Sequence, residues 1–471
     1  MEKQLLFEKV KPGKALAVMA LPTVASQLVV LLYNLADTWF IGRTDNPYMI
    51  GASSLALTIY LVAAALSNVF GVGGGSLMAR LLGEKKENDA KKVVAYSIIT
   101  ATICSLVFSV VVLIFMEPLL KLLGASENTL EFGKQYAFTT VVLGSVPTVL
   151  SMCMPQFLRN AGYSKEAGLG VILGSLLNIG LDPLFMFVIL PEGYEVLGAG
   201  IATLISNIIS FGYFVFMFKK LKEKTVLVLP FLAFIQRDNS NGISTKINRD
   251  YKKSLYSVGI PAAFAVFLFD LVTIVINRLA SDYGDITLAS AGIVLKLERI
   301  PINIGLGVCL GMIPLLAYNY GSGDHKRLKQ ISNIARNSIL IFSAVCAVLF
   351  WFFAEQVVGA FISDEETIRC GVDILKGRCF SLPFMMIGYH IVNYMNAVNR
   401  GQTSFLLAII RHLILIIPIM LLMNSVLGMD GLIWSQLVAD AVNSVVAIII
   451  FIKVTRNRSL LTEEKNFVST Q

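Results

Sequence analysis

The chain has 471 residues, of which 56% are hydrophobic and 15% are charged. Its mean hydropathy is +0.72, and apolar runs long enough to cross a bilayer recur from end to end, which excludes an ordinary soluble protein. The net charge of +8 does not indicate a nucleic-acid-binding protein, because Lys and Arg lie in the short segments between the apolar runs, where they act as topology signals.

The apolar runs predict an all-α polytopic membrane protein. Each run is about 20 residues long, the length of a membrane-spanning helix, and no series of short alternating strands competes with this interpretation. We predict twelve transmembrane helices, at residues 15–40, 53–77, 93–115, 133–156, 167–190, 197–218, 255–280, 287–318, 332–354, 378–398, 403–424 and 428–452.

The distribution of Lys and Arg predicts the orientation of these helices. With the N-terminus inside, basic residues concentrate in the inner connections and are sparse in the outer ones. The polar first residues lead directly into a full-length span, so we expect no cleaved signal peptide. We therefore expect a multi-pass protein of the plasma (inner) membrane, with the N- and C-termini in the cytoplasm.

The first span keeps a carboxylate, Asp37, in its second half and a proline, Pro22, near its start. A charge inside a spanning helix is costly, so it normally faces a partner or a wet cavity and marks an ion or substrate path. Proline favours a kink in the helix. The alternative is that Asp37 lies at the outer interface beside Arg43 and only ends the apolar run.

The two halves of the chain resemble each other, as in many transporters. The matching positions are Leu21-Pro22 with Ile260-Pro261, Gly83 with Gly321, Pro147 with Pro383, Asn160 to Gly162 with Asn399 to Gly401, and Gly200 with Gly431. Because each half has six spans, both halves insert in the same orientation. The sequence therefore predicts two pseudo-symmetric six-helix lobes.

The repeat also defines the expected domains. Between the halves, the apolar stretch around Pro230 is too short for a thirteenth span, and we expect it to lie on the inner face. The predicted boundaries are 1–218 for the N-lobe, 219–253 for the cytoplasmic interlobe linker, 254–452 for the C-lobe and 453–471 for a cytoplasmic tail.

A second buried carboxylate, Asp182, belongs to the first half. Asn178 precedes it by one helical turn and so shares its face. The neutral polar residues Thr203, Asn207, Tyr33 and Asn34 lie on neighbouring spans or beside Asp37, and we take Tyr33 and Thr203 as candidates for ion coupling and Asn34 and Asn207 as candidates for substrate binding. Two carboxylates among neutral oxygens form either a pair that shares a proton or a site for a hard cation such as Na⁺, and the sequence does not choose between these. For Asn178 and Thr203, ordinary interhelical hydrogen bonding is the alternative.

In the second half, Asp270 is a further carboxylate inside a spanning helix, with Phe264, Phe267 and Phe269 nearby. Aromatic side chains around a lone carboxylate suit a bulky organic cation, although each Phe could equally pack between helices or face lipid. In the eighth span we expect Glu298 to form a structural ion pair with its sequence neighbours Lys296 and Arg299. Arg411, His412 and Asp440 are ambiguous.

Other kinds of site are not indicated. The six cysteines show no CxxC spacing, and the three histidines are scattered, so neither a metal centre nor a disulfide framework is expected. A membrane-embedded prenyl transferase would need clustered Asp motifs, whereas the carboxylates here are isolated. An ion channel is a formal alternative, but a two-lobe repeat favours alternating access. We therefore expect a protein that is not an enzyme.

Taken together, the motifs resemble the multidrug and toxic compound extrusion (MATE) family, in the bacterial branch of DinF-like and MepA-like proteins. The resemblance covers nearly the whole chain. It rests on the motifs LP, YNLADTWFIG, NVFGVGGGSLMARLLGEKK, LRNAGYSKEA, LLNIGLDPLF, LGAGIAT, GMIPLLAYNYGSGD and GLIWSQLVAD.

The resemblance implies a MATE-like fold of the MOP superfamily and export of diverse, often cationic, small molecules in exchange for H⁺ or Na⁺, with no other cofactor. It also implies that Asp37 and Asp182, with Asn178 and Thr203, match the cation or proton site of the family. Neutralising these carboxylates is then expected to change the packing of the Pro22 helix. Asp270 matches a second-lobe carboxylate less closely. We expect a functional monomer in the bilayer.

The main alternative is an exporter or flippase of a lipid-linked or amphipathic metabolite in the same superfamily. Such proteins tend to have extra spans and a strongly cationic central cavity. The few Lys and Arg residues inside the predicted spans make this the second choice.

Overall fold

The structure is a computed structural model that describes residues 2–44, 46–229 and 247–456. Within these ranges the secondary structure is helical and contains no strand. The helices are α1 Glu2–Glu8, α2 Pro12–Gly42, α3 Pro47–Gly83, α4 Glu87–Leu122, α5 Glu127–Ala137, α6 Ser145–Asn160, α7 Ser164–Leu184, α8 Glu195–Leu221, α9 Arg249–Ser281, α10 Asp285–Ser322, α11 His325–Phe352, α12 Ala354–Gly359, α13 Glu365–Cys379, α14 Ser381–Ala397, α15 Gly401–Ile409, α16 Ile417–Leu427 and α17 Met429–Arg456.

Three short π-helical segments interrupt this pattern, each continuing directly from an α-helix. They follow α5, α7 and α15, and their bounds are Phe138–Leu143, Phe185–Ile189 and Ile410–Ile416. A π-turn closes a hydrogen bond one residue later than an α-turn, and such segments are frequent at functional sites. The second segment begins three residues after Asp182, and the third contains Arg411 and His412.

The predicted all-α membrane fold is confirmed. Among the described residues, ten helices are long and apolar enough to cross a membrane. An eleventh span is formed if the segments Glu127–Leu143 and Ser145–Asn160, which meet at an angle of 56°, count as one. The predicted span 378–398 corresponds to the end of α13 and to α14, which has 17 residues. Each of the twelve predicted spans therefore overlaps one helix or one pair of consecutive helices.

The chain packs as two compact units. The first comprises residues 1–267, 303–335 and 394–405. Its largest core cluster includes Phe70, Met78, Leu150, Phe157 and Phe214. The first unit thus contains the first half of the sequence together with two segments of the second half, and the predicted lobe boundaries stay predictions.

The second unit comprises residues 268–302, 336–393 and 406–471. Its core cluster includes Val294, Leu375, Ile416, Met420 and Ala439. The side chains come from α10, α13, α17 and the stretch from the third π segment to α16, so this core joins residues that are far apart in sequence.

Glycines allow two helices of the first unit to touch through their backbones. A Cβ atom on Gly73 of α3 would lie 3.0 Å from the Cα of Gly259 in α9, and a Cβ atom on Gly259 would collide with the carbonyl of Val69. Such close approach of small residues drives helix association where lipid offers no hydrophobic contrast. The glycine-rich run in α3 is therefore a packing surface.

The predicted linker is described only in part. Helix α8 ends at Leu221, and the side chains of Val226 to Leu229 are buried in the main core cluster of the first unit. Residues 230–246, including Pro230, lie outside the described residues, as does the predicted tail beyond residue 456.

The short N-terminal helix α1 is held by Arg327 at the start of α11. The Arg327 guanidinium donates to the carbonyl oxygens of Phe7 at 2.6 Å and Leu6 at 3.1 Å. Phe7 stacks on Tyr318 with ring centroids 4.8 Å apart, and the Tyr318 hydroxyl donates to Glu8 at 2.6 Å. Carbonyl groups at a helix C-terminus are unpaired and attract a cation, so α1 is fixed by its last turn.

Candidate functional site

The carboxylate of Asp37 is buried within α2. Its relative exposure is 6%, whereas Arg43 is exposed and its guanidinium lies 4.8 Å from the centroid of the Trp39 ring. Oδ1 of Asp37 is buried and has no hydrogen-bond partner within the described ranges. The structure therefore agrees with a buried carboxylate that needs a proton or a cation, and not with a surface residue that pairs with Arg43.

The carboxylate of Asp182 on α7 is completely buried. Its neighbour on the same face of that helix is Asn178. With the amide of Asn178 oriented by its hydrogen-bonding partners, its nitrogen donates to Oδ2 of Asp182 at 2.9 Å. The Asn178 oxygen then accepts from the hydroxyl and the backbone N–H of Thr203, each at 3.2 Å. Hydrogen bonds therefore link Asp182 to Asn178 and Asn178 to Thr203, the three residues that the sequence predicts to lie together.

Asp37 and Asp182 lie within electrostatic range of each other. Asp37 lies on α2 and Asp182 on α7, two helices that pack against each other in the first unit, and Thr203 of α8 hydrogen-bonds with Asn178 beside Asp182. Two buried carboxylates with few donors are most stable when one positive charge, from a proton or a metal cation, is shared between them.

Three tyrosines surround the two carboxylates. Tyr33, Tyr60 and Tyr136 each lie within electrostatic range of Asp37, and the Tyr136 hydroxyl lies beside Thr203. Only Tyr33 was a candidate from the sequence, because it precedes Asp37 by one turn. No local pattern marks Tyr60 on α3 or Tyr136 on α5.

The predicted candidate Asn207 also faces this polar cluster. Its amide nitrogen donates to the hydroxyl of Thr148 at 3.0 Å, its oxygen accepts from Ser151 at 3.3 Å, and the Tyr60 hydroxyl lies beside both Asn207 and Thr148. Thr148 was not a candidate, because a lone hydroxyl in an apolar run carries no signal. Thr148 of α6 and Asn207 of α8 therefore position the Tyr60 side chain.

The stretch of α2 around Pro22 is enclosed by glycines of two other helices. Helix α2 continues through Pro22, and a Cβ atom on Gly168 of α7 would lie 2.8 Å from the Pro22 carbonyl oxygen. On another side, Cβ atoms on Gly307 and Gly311 of α10 would lie 2.7 and 2.6 Å from the Cα atoms of Val24 and Ala20. The absence of side chains at these glycines lets the backbones of α7 and α10 lie close to this stretch of α2.

The structure does not bring every predicted substrate residue to this cluster. Asn34 is exposed on α2, and its carbonyl accepts from Thr38 at 2.9 Å. The ring of Phe267 is 38% exposed. Asp270 is half-buried in the second unit, within electrostatic range of Arg299.

The predicted partner of Glu298 is wrong. Glu298 accepts two hydrogen bonds from Arg378, each of 2.9 Å, instead of pairing with Lys296 or Arg299. Arg378 is the first residue of the predicted span 378–398, and in the structure its side chain is buried in α13. Sequence neighbours on a helix point in different directions, so the partner of a buried charge comes from another helix.

Arg411 and Asp440, whose roles the sequence left open, form a second buried ion pair. Nε of Arg411 donates to Oδ1 of Asp440 at 3.0 Å, and Gln436 donates to Oδ2 at 2.6 Å. The imidazole Nδ1 of His412 lies 2.9 Å from the carbonyl oxygen of Ala408, so it carries the proton. Arg411, His412 and Gln436 line part of a cavity in the second unit.

A polar network joins α3, α9 and the loop after α14 at one end of the first unit. Arg80 donates to the side chains of Ser76 and Ser254, both at 2.8 Å, and to Asn399 at 3.1 Å. Ser254 also donates to Asn399 at 2.7 Å. Asn399 has a φ of 63°, which a residue with a short amide side chain tolerates. The network therefore ties both halves of the sequence together.

Metal binding by clustered ligands is not a feature of this site. Across the part of the chain that the structure describes, no group of three or more His, Cys, Asp or Glu residues could hold a metal ion. Asp37 and Asp182 could hold a monovalent cation only with help from neutral oxygens, and the Asn178 oxygen is already engaged by Thr203.

The sequence is similar to a known family and to known proteins. The family model described as MatE matches residues 22–184 and 261–422, one stretch in each predicted half. The chain is similar to the multidrug export protein MepA of Staphylococcus saprophyticus subsp. saprophyticus, with 30% identity over 452 residues that cover 95% of each chain. It is also 30% identical over 456 residues to MepA of Staphylococcus aureus (strain MRSA252), again covering 95% of each.

Solved structures share the fold. A MATE protein in complex with MaD3S has a TM-score of 0.87 at 22% identity and covers 98% of this chain and 99% of its own. The outward-facing conformation of a multidrug resistance MATE family transporter of the MOP superfamily has a TM-score of 0.84 at 22% identity, with 98% of both chains covered. These similarities establish the architecture.

Proposed function

This chain belongs to the MATE family of transporters, and from that premise we propose that it is a secondary active multidrug exporter. It moves organic, often cationic, compounds out of the cell in exchange for H⁺ or Na⁺. The names of its relatives support multidrug export, and those relatives are transporters and not enzymes. The paired carboxylates Asp37 and Asp182 are the observation that carries the proposed ion coupling.

We propose that the coupling ion binds at Asp37 and Asp182. A carboxylate inside a spanning helix is retained when it has a function, because burying its charge is costly. The buried Oδ1 of Asp37 has no donor among the described groups, so this atom is open to a proton or a cation. Tyr33, Asn178 and Thr203 shape the surroundings of the pair.

The hydrogen bonds favour H⁺ over Na⁺. Asn178 presents its N–H₂ group, a donor, to Asp182 and turns its oxygen toward Thr203. A site for Na⁺ would use that amide oxygen as a ligand beside the carboxylates, as hard cations prefer oxygen ligands. A donor in this position instead stabilises the ionised form of Asp182 without a metal cation, and Oδ1 of Asp37, which has no donor among the described groups, is the atom that takes up the proton. Na⁺ is the second candidate.

We propose that the substrate path involves further polar and aromatic groups. Asn207, through its contacts with Tyr60, belongs beside the coupling pair. Asp270 and Phe267 remain candidates for binding a cationic substrate, by charge pairing and by cation–π contact, respectively. Asn34 is the weakest candidate, because its side chain is on the exposed side of α2.

The proposed cycle uses the bending point at Pro22 and the Arg80 network. Proton binding at Asp37 changes the charge of α2, and the helix responds by bending at Pro22, where it lacks a backbone N–H donor. With both termini in the cytoplasm, the Arg80–Asn399 contact lies at the inner end of the bundle. It closes that end and must open when the transporter faces inward.

The proposed location is the plasma (inner) membrane. The described helices long enough to span a membrane support a multi-pass protein, and the distribution of Lys and Arg supports cytoplasmic termini. Small organic molecules and the lipid bilayer are the partners. We propose a functional monomer, because one chain contains both halves of the repeat.

Efflux from proteoliposomes tests this proposal. The fluorescent organic cation rhodamine 123 is loaded, and its release is followed under an imposed pH gradient or an imposed Na⁺ gradient. We expect efflux driven by the pH gradient, and a loss of about 100-fold or more in Asp37→Asn. Thr38→Val is the matched control, because Thr38 is exposed on the same helix.

Each outcome is informative. Full gradient-driven efflux by Asp37→Asn would contradict the coupling role of Asp37. Efflux driven only by the Na⁺ gradient would identify Na⁺ as the coupling ion. No efflux of the dye by the wild-type protein under either gradient would favour export of an amphipathic or lipid-linked metabolite.

A further inference from the structure

Three polar atoms of α2 and α7 meet beside Pro22 in the first unit. The hydroxyl of Ser164, the first residue of α7, donates to the carbonyl oxygen of Met19 in α2 at 2.6 Å. The hydroxyl of Thr23 in α2 donates to the same carbonyl oxygen at 2.9 Å. The two hydroxyl oxygens lie 2.9 Å apart. A single residue of another helix thus contacts α2 both before and after its proline.

This contact is closed off from the surroundings. Met19 and Thr23 are completely buried, and Ser164 is 2% exposed. Gly168 follows Ser164 by one turn on α7 and therefore shares its face, and the missing side chain of Gly168 leaves room for the Pro22 carbonyl. The same surface of α7 thus supplies a hydroxyl and a gap to the proline turn of α2.

The three contacts share two hydrogen atoms. Each hydroxyl has one hydrogen to donate, so Thr23 and Ser164 can fill two of the three contacts at any time. Either both hydroxyls donate to Met19, or one donates to the other, which then donates to Met19. In every arrangement the Met19 carbonyl keeps at least one hydroxyl donor. The group can therefore exchange its hydrogen bonds without leaving that carbonyl unpaired.

Helix α2 is weakened at this place by its own residues. Pro22 has no N–H group, so one turn of the helix lacks its usual hydrogen bond. Thr23 bonds to the carbonyl four residues earlier, and such bonds of Thr side chains often bend helices. In a membrane, carbonyls that are freed at a proline need donors from neighbouring helices or hydroxyl side chains. Ser164 is a donor of this kind that does not belong to α2.

We propose that Ser164 is a positioning residue for the ion coupling, an assignment that rests on the proposed function. Bending of α2 at Pro22 opens the turn between Met19 and Thr23. Ser164 then supplies the Met19 carbonyl with a donor that does not depend on the shape of α2. The part of α2 before Pro22 stays on α7, and the part that carries Asp37 moves.

Ser164 acts at a distance from the proposed proton site. About 27 Å along the axis of α2 separate Met19, the residue that Ser164 holds, from Asp37. The ionisable groups within electrostatic range of Asp37 include Asp182, Tyr33, Tyr60 and Tyr136. Removal of the Ser164 hydroxyl should therefore change the movement of α2 and leave proton binding at Asp37 intact.

The first test measures transport by the full-length protein. Efflux of rhodamine 123 from proteoliposomes under a pH gradient is followed at several dye concentrations. We expect Ser164→Ala to lower the maximal rate by about tenfold and to leave the half-saturating dye concentration nearly unchanged. Ser164→Thr keeps the hydroxyl and should regain most of the rate. Ser105→Ala is the matched control, because Ser105 is completely buried and its hydroxyl donates to Thr102 of its own helix.

The second test follows α2 directly. Trp39 lies two residues after Asp37, and the chain has two other tryptophans, Trp351 and Trp434. In a background with Trp351→Phe and Trp434→Phe, the fluorescence of Trp39 is titrated with acid in lipid nanodiscs. We expect Ser164→Ala to keep the midpoint pH of the fluorescence change and to reduce its amplitude.

The two tests separate this proposal from the proposed function. Equal maximal rates of efflux in the wild type and Ser164→Ala would overturn the positioning role. A shifted midpoint pH in Ser164→Ala would also overturn it, because Ser164 would then act on proton binding. If the wild type shows no gradient-driven efflux but the amplitude of the Trp39 signal depends on Ser164, the positioning role is supported and multidrug export is contradicted.

Discussion

Gly83 and Gly321 each lie against the helix that carries the other. A Cβ atom on Gly83 would collide with the carbonyl of Tyr318 on α10, and a Cβ atom on Gly321 would collide with the carbonyl of Arg80 on α3. These two glycines are also matching positions of the sequence repeat. A reciprocal contact between matching positions is the arrangement expected near a two-fold axis.

This contact predicts that the two glycines tolerate no side chain. Gly321→Ala places a methyl group against backbone atoms that cannot rotate away, and overpacking of this kind costs about 1–3 kcal/mol. We expect a clear decrease in the apparent melting temperature of the purified protein. Gly212→Ala is the control, because no atom lies within 4 Å of a Cβ at Gly212. An equal melting temperature for the two variants would contradict the close contact.

The fold could be predicted because its determinants are local. Runs of apolar residues specify spanning helices wherever they occur, and the repeat could be found by aligning glycines and prolines. The association of Asn178 with Asp182 was also predictable, since residues four apart share a helix face. In each case the information lies within one segment of the chain.

The partners across helices could not be predicted. Glu298 pairs with Arg378, which is 80 residues away, and nothing in either segment specifies the other. Tyr60 and Tyr136 reach the carboxylates because four helices, α2, α3, α5 and α7, meet there. A tyrosine in an apolar run is equally compatible with a position at the membrane interface. Such contacts depend on how the helices pack against each other, which neither segment alone specifies.

The second prediction concerns the donor to Asp182. Asn178→Leu removes the hydrogen bond of 2.9 Å to Oδ2 without changing the side-chain volume much. We expect gradient-driven efflux to fall by about tenfold, because a buried carboxylate loses its donor. The rate of rhodamine 123 release under a pH gradient measures this. Unchanged efflux would mean that Asn178 only packs between helices.

The third prediction concerns the ion pair of Glu298 and Arg378, whose side chains are 3% and 6% exposed. Arg378→Met leaves Glu298 buried and unpaired, and the expected loss of stability is about 3–5 kcal/mol. The double variant Glu298→Gln with Arg378→Met should regain much of this loss, as measured by thermal unfolding in detergent. A double variant as unstable as the single one would contradict the pairing.

The fourth prediction concerns the docking of α1. Arg327→Gln removes the charged donor to the carbonyls of Leu6 and Phe7, so α1 should open locally more often. We expect trypsin to cleave after Lys9 about tenfold faster in this variant, because Lys11 is followed by Pro12 and its bond resists trypsin. Arg336→Gln on the same helix is the control, since Arg336 bonds with its neighbour Asn337. Cleavage at equal rates in both variants would contradict the docking of α1 by Arg327.

The π-helical segment Ile410–Ile416 has a consequence for how this sequence is aligned and engineered. A π-turn contains one residue more than an α-turn, so the segment corresponds to a single inserted residue. Removing one residue there would restore a regular helix and leave the direction of the flanking residues nearly unchanged, whereas removing one residue from a regular α-helix would rotate everything that follows by about 100°. The segment thus makes the angular register of α16 tolerant of one deleted residue, and an alignment that ignores the insertion would assign the wrong residues to the wall of the cavity.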